Sequence, residues 1–268
     1  MSQTPVHPRA GMLTEPEPTS FGEPYRVLQI KRLTATILEL WIEPVAAALE
    51  YLPGEYVLLE DCHRERPPRS YSIANTPRPD GLISLLVTRV PGGQASPWIH
   101  DRLRVGDEVS VSGPYGTFVD DPRSMAPRLF LAAGSGLAPI RSLIEAALPA
   151  GAHRSLTLIF SARTEADVID RERFESWRKH YPQFRFIRTL TRASGAPPPH
   201  GQIPALPPTL CDELSDHDTF IAGAPGFVLA CTLAAEVLGA RRERLHTEVF
   251  FVEPQPWPGA APHADDRA

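Results

Sequence analysis

The chain has 268 residues, 30 of them proline, and a formal net charge of −5. Its 42% hydrophobic and 22% charged content is that of a folded globular protein, long enough for one large or two medium domains. An acidic balance without a lysine-rich block argues against nucleic acid as a partner, and no apolar run approaches the roughly 18 residues that a membrane span needs.

Half of the prolines, 15 of the 30, fall within residues 1–24, 197–208 and 254–262. They mark tails and one loop, and residues 1–23 and 253–268 are expected to be disordered. The N-terminus carries no apolar signal core, which points to a cytoplasmic protein. Cys62, Cys211 and Cys231 are scattered, with no CxxC pair. A plant-type iron–sulfur cluster needs four close cysteines, so none is expected within this chain, and no metal site is expected either.

From residue 24 to about residue 122 the sequence reads as strands. Tyr25–Leu33 and Thr34–Ile42 alternate apolar and polar residues, the period-2 signature. Strands follow at Tyr56–Leu59, Ser70–Ile73, Leu82–Val90 and Glu108–Ser112, with one short helix at Ser96–Arg102. This pattern predicts a small antiparallel β-barrel. The segment from Asp121 to Pro127 breaks the rhythm.

Residues 127–252 read differently. Leu129–Gly134 is a continuous apolar run, typical of a buried parallel strand. It is followed by a helix at Pro139–Leu148, a strand at Leu156–Ser161, a helix near Ala166–Lys179 and a strand at Phe184–Thr189. A strand at Thr219–Ala222, a helix near Gly226–Leu238 and a strand at Leu245–Phe251 complete the series. Strand–helix alternation predicts an α/β doubly wound parallel sheet.

Three local patterns carry chemistry. Gly134-Ser135-Gly136-Leu137-Ala138-Pro139 joins a strand to a helix, where bare backbone and a helix N-terminus suit a phosphate; a tight turn without ligand is the plainer alternative. Its last residue is Pro rather than the Gly of the common dinucleotide fingerprint, which disfavours a standard dehydrogenase. In Arg69-Ser70-Tyr71-Ser72 a guanidinium and a phenol share one strand face, unless this is simply an exposed alternating strand. Gly93-Gln94-Ala95-Ser96 opens the short helix, with Ser96 as its candidate N-cap; it is either an anion-binding turn or a plain one.

Taken in order, R-S-Y-S, G-G-Q-A-S, G-P-Y-G-T-F, A-A-G-S-G-L-A-P, A-G-A-P and E-V-F resemble the motif series of the ferredoxin–NADP reductase superfamily, over residues 24–252. The resemblance implies a flavin-binding barrel at residues 24–122, a nucleotide-binding domain at residues 127–252, FAD as cofactor and NADH or NADPH as co-substrate. It implies that Arg69 pairs with the flavin phosphate, that Tyr71 lies on the isoalloxazine and that the Ser72 hydroxyl reaches the ring near N5. Ser70 belongs to the same strand, and Gly93, Gln94, Ala95 and Ser96 correspond to the turn that holds the diphosphate. Gly134, Gly136, Pro139 and Gly223 correspond to the nicotinamide dinucleotide site. Glu248 and Phe250 correspond to a catalytic C-terminal pair, with Ser72 opposite; a solvated strand residue and a core aromatic are the alternatives. The family often has a cysteine where this chain has Ala222.

Arg192 and Arg163 are the candidates for a 2′-phosphate, though Arg163 reads equally as a surface residue. The residues after Arg192 offer no further cation, which tips the balance toward NADH. The function implied is a flavoprotein reductase that takes a hydride from the nucleotide and passes single electrons to a separate ferredoxin or oxygenase component. A free flavin reductase or diaphorase, or an electron-transfer subunit of a larger complex, are the alternatives. Arg64 and Arg66, in the loop before Arg69, either form a docking patch for an acidic acceptor or pair with Glu65 and neighbouring carboxylates.

Overall fold

The alternation read from residue 25 onward becomes a sheet whose one face is apolar. The computed structural model describes residues 22–63, 65–150, 154–192 and 213–251. Strands β1 (Glu23–Arg32) and β2 (Ile37–Pro44) form an antiparallel pair. The turn between them is held by Thr34, whose Oγ1 accepts the Thr36 and Ile37 N–H groups at 3.2 and 3.0 Å. Thr34–Thr36 are therefore turn rather than strand, because the threonine hydroxyl offers the backbone a local partner. Strands β3 (Tyr56–Asp61), β4 (Arg69–Ser72), β5 (Ile83–Thr88) and β6 (Glu108–Tyr115), with helix α1 (Ala95–Asp101), complete this half.

The six strands run in the order β4-β3-β6-β1-β2-β5. A bridge between Ile73 and Leu85, and the Ala74 N–H to Ser84 carbonyl bond at 2.8 Å, bring the two edge strands together. Closure removes the exposed edges. Inside lie Tyr25, Val27, Leu40, Ile42, Val57, Ile73 and Leu85, all at most 1% exposed.

The second half is a parallel sheet. It contains β7 (Arg128–Ala133), α2 (Leu137–Ala147), β8 (Leu156–Ala162), α3 (Arg171–His180), β9 (Phe184–Leu190), β10 (Asp218–Gly223), α4 (Pro225–Val237) and β11 (Leu245–Val249). The strand order β11-β10-β7-β8-β9 reverses direction between β7 and β10, which makes their carboxyl ends a topological switch point, the usual ligand crevice of such sheets.

The long helix read near Ala166–Lys179 is broken. Glu165–Asp167 is a single turn with a Thr164–Asp167 capping box, and Asp170 then adopts φ 54°, in the left-handed region, before α3 begins. Arg128 is fully buried and draws the connecting segment onto the parallel sheet. Its guanidinium reaches Asp120 Oδ1 at 2.8 Å, the Asp121 and Ser124 carbonyls at 3.1 Å and Asp218 at 2.8 Å. Among the described residues no helix is long and apolar enough to cross a membrane. Of the expected tails 1–23 and 253–268, residues 1–21 and 253–268 lie outside the described residues, as do the proline-rich loop 197–208, Arg64 and Cys211, while Glu23 already opens β1 because the backbone there pairs with Val111.

Candidate functional site

Strand β4 pairs with β3 so that Ser72 faces Tyr56 and Ser70 faces Leu58. Ser70 is exposed, Arg69 and Tyr71 are half-buried, and Ser72 is buried. Burial raises the Tyr71 phenol above its ordinary value. Arg69 Nη1 donates to the Pro68 carbonyl at 2.9 Å. The Ser72 hydroxyl donates to Glu248 Oε1 of β11, on the other sheet. Burial pushes the Glu248 carboxyl up to about 7, against the pull of the Ser72 bond, and its Oε2 has no partner among the described residues. Strand register places Glu248 beside Ala222.

The turn at the end of β7 occupies the switch point. Gly134 adopts φ +57°, and a Cβ built there would meet nothing within 4 Å. The backbone at Gly134 is therefore bare toward open space, as a phosphate requires. Gly136 is the reverse case: a Cβ there would lie 2.3 Å from the Ala222 carbonyl oxygen. Only glycine lets α2 sit this close to β10. Pro139 falls in the first turn of α2 and is buried. Gly223 packs under Phe227, and its carbonyl accepts the Phe250 N–H at 2.8 Å. Phe250 is half-buried against the apolar cluster between the sheets.

The turn before α1 differs from expectation in one residue. Helix α1 starts at Ala95 with Gln94 as N-cap, so Ser96 is not the cap. Its Oγ instead accepts the Val90 N–H at 2.9 Å, while the Gly93 N–H closes a turn on the Val90 carbonyl at 3.1 Å. Ser96 thus ties down the turn that Gly93, Gln94 and Ala95 form.

Arg163 follows directly after β8 and Arg192 lies two residues after β9, and the Arg192 N–H bonds the Arg163 carbonyl at 2.9 Å. Arg163 also pairs with Asp167 at 2.9 Å. Arg66 is not a free docking charge. It pairs with the buried Asp61 at 2.7 Å and with Glu65 at 3.4 Å, and stacks over Trp98 at 5.3 Å. Sequence reading missed Arg141, which is fully buried between the two sheets.

Two family models match in succession, Oxidoreductase FAD-binding domain over residues 30–119 and Oxidoreductase NAD-binding domain over residues 130–232. Ferredoxin–NADP reductase B of Sorangium cellulosum (strain So ce56) is 35% identical over 85% of this chain and 98% of its own length. The chain belongs to the ferredoxin–NADP reductase family. Reductase component 1 of the terephthalate 1,2-dioxygenase of Comamonas sp is 32% identical over 79% of this chain, and the chain spans 62% of that relative's length. The structure of the Amycolatopsis cytochrome P450 reductase GcoB superposes with a TM-score of 0.78 at 28% identity, covering 85% of this chain and 69% of that one. In this ferredoxin–NADP reductase family chain, the barrel is the FAD-binding domain and the parallel sheet the pyridine-nucleotide domain.

Proposed function

We propose that the chain is a flavoprotein reductase that accepts a hydride from NADH or NADPH and delivers single electrons to a separate ferredoxin or oxygenase component in the cytoplasm. The reading is carried by one observation, the Ser72–Glu248 hydrogen bond, in which the expected flavin strand and the expected nicotinamide strand meet. The unpartnered, buried Glu248 Oε2 and the bare Gly134 turn fit a flavin ring and a dinucleotide.

FAD, when bound, converts a two-electron donor into a one-electron source. Arg69 is assigned to its phosphate, since a planar, always-charged fork suits that group, with Ser70 beside it on the strand. Tyr71 is assigned to the ring face, and Gly93, Gln94, Ala95 and the Ser96-braced turn to the diphosphate. Gly134, Gly136, Pro139 and Gly223 shape the nucleotide crevice. Phe250 covers the approach, and Glu248 holds a proton next to Ser72 near neutral pH, where a group can both keep and release one.

Arg163 and Arg192 are assigned to the adenosine ribose end of the nucleotide. The sequence favoured NADH because Arg192 lacked a second cation after it. Arg163 is linked to Arg192 by a backbone bond, but its guanidinium pairs with Asp167 at 2.9 Å, so it is a shared charge that leaves the choice between NADH and NADPH to the experiment. The partner assignment draws on relatives described as reductase components. The test is turnover with NADPH and with NADH against three acceptors: a ferredoxin, free FAD and a neutral dye. The proposal expects reduction of ferredoxin with flavin retained through gel filtration. Reduction of free FAD alone, with flavin lost on the column, supports the flavin reductase alternative instead.

A further inference from the structure

Helix α2 begins at the dinucleotide turn, and three of its polar side chains bond outside its own sheet. Arg141, Ser142 and Glu145 all reach into the barrel. Arg141 Nε donates to the Ala74 carbonyl at 2.5 Å, Ser142 Oγ to the Asn75 carbonyl at 2.7 Å, and the Thr76 N–H donates to Glu145 Oε2 at 2.9 Å. Residues 74–76 continue directly from the strand that ends at Ser72. Three successive residues of the flavin strand's exit are thus held by one face of the nucleotide helix.

Arg141 does most of this. Nη2 also meets Glu39 Oε1 at 2.7 Å and Ser84 Oγ at 2.8 Å, both on barrel strands, and Nη1 meets Asp170 Oδ2 at 2.5 Å. Asp170 ends the segment after β8 that begins with Arg163, and it holds a left-handed φ of 54° that side-chain-bearing residues adopt only when their surroundings fix it. One guanidinium therefore ties the flavin strand's exit, the barrel wall and the nucleotide loop, each along a different direction of its plane. Its burial is complete, Glu39 is buried with it, and the Asp170 side chain is only 9% exposed. The two carboxylates outweigh desolvation and keep Arg141 charged, and Arg141 in turn holds Glu39 below its ordinary range against the upward push of burial. The clamp is consequently intact throughout the neutral range.

We propose that Arg141 is a positioning residue that fixes the flavin strand against the dinucleotide turn, so that the relative placement of the two half-sites depends on its fork of hydrogen bonds. The proposal rests on the reductase reading above. It separates binding from alignment. Among the described residues the Arg141 guanidinium bonds Ala74, Glu39, Ser84 and Asp170, none of them assigned to FAD or the dinucleotide, so loss of the fork is expected to leave each cofactor's own contacts in place. A lysine keeps the charge but cannot serve three directions from one plane. Small misplacement of reacting groups costs rate steeply, about a hundredfold for an ångström.

The test compares the parent, Arg141→Lys and Glu39→Gln. Affinity of the flavin-free chain for FAD is measured by fluorescence quenching, and affinity of the flavin-loaded chain for NADP+ by difference spectra. The limiting rate of flavin bleaching at saturating NADPH is measured by anaerobic stopped flow, and the melting of the flavin-free chain by calorimetry. Removing one member of a buried ion pair destabilises a fold, so Glu39→Gln, which keeps the shape and one hydrogen bond, supplies the same readouts if Arg141→Lys does not fold. The expected result is unchanged FAD and NADP+ affinity, a bleaching rate about ten- to a hundredfold slower, and a single melting transition that splits in two. An unchanged limiting rate with a lowered melting temperature overturns the proposal, because Arg141 is then only structural. A parent that takes up FAD but is not bleached by either nucleotide overturns the reductase reading, a result that no comparison of variants produces.

Discussion

The Ser72 hydroxyl donates to the Glu248 carboxylate across a sequence separation of 176 residues and between two sheets that share no strand. Neither residue is unusual on its own strand. Their meeting follows from barrel closure, which brings the end of β4 to the mouth of the barrel, and from the switch point, which leaves the end of β11 beside β10. Burial there raises Glu248 to about 7, and the bond from Ser72 keeps it from going higher.

Stability of the flavin-free chain should therefore depend on Glu248. The carboxyl binds its proton more tightly folded, at about 7, than at its ordinary 4.5. Between these values the folded state holds more protons than the unfolded one, so stability falls as pH rises through that window, by on the order of 3 kcal/mol. Glu248→Gln should flatten this slope in urea titrations run from pH 4.5 to 8. Ser72→Ala should move the window upward, since the bond it removes favours the charged form. A slope that survives Glu248→Gln assigns the dependence to another group.

Flavin affinity should depend on Arg69. Replacing its guanidinium with a methyl group removes a charge-assisted contact worth roughly 1.5–3 kcal/mol, so Arg69→Ala should bind FAD about ten- to a hundredfold more weakly. Equilibrium dialysis of the flavin-free protein reads this directly, and parental affinity in the variant dissociates β4 from the phosphate.

The two glycines of the β7 turn should respond differently to alanine. Gly136→Ala drives a methyl into the Ala222 backbone, 2.3 Å away, and should cost about 1–3 kcal/mol of stability. Gly134→Ala meets no atom, and its strain at positive φ is about 1–2 kcal/mol, but the methyl occupies the open space above the turn. It should fold and bind NADPH more weakly. Normal nucleotide affinity in Gly134→Ala would place the pyrophosphate elsewhere.

Phe250 should govern nucleotide access. Its backbone is pinned to Gly223, while its ring sits half-buried at the edge of the apolar cluster, a place from which a ring can be displaced. Phe250→Ala should tighten the oxidised nucleotide complex and reduce the preference between NADPH and NADH. Unchanged affinity with a lower melting temperature makes it an ordinary core aromatic.

The barrel and the parallel sheet were legible because their apolar residues recur with period 2 and in continuous runs, signals that depend only on local burial. Of the ordered motifs, the first and the last supply Ser72 and Glu248, which the fold brings together. What escaped the sequence depended on tertiary partners. Ser96 looks like an N-cap, yet its hydroxyl finds the Val90 N–H and the helix starts a residue earlier. Residues 166–179 carry a helical pattern, yet Asp170 is turned into a left-handed conformation beside Arg141. Arg66 reads from the sequence either as a docking charge or as a partner of neighbouring carboxylates, and only the fold, with Asp61 and Trp98 beside it, decides for the second. Arg141 itself is invisible as a clamp until Glu39, more than a hundred residues earlier, is folded against it.

The most direct measurement is an anaerobic titration of the FAD-loaded chain with NADPH and, separately, with NADH, followed through the flavin's visible absorbance. A reductase in which Ser72 and Glu248 join the two half-sites predicts complete bleaching at one equivalent of the preferred nucleotide, with colour restored on adding oxidised ferredoxin. A chain that binds FAD and keeps its colour with both nucleotides contradicts that account.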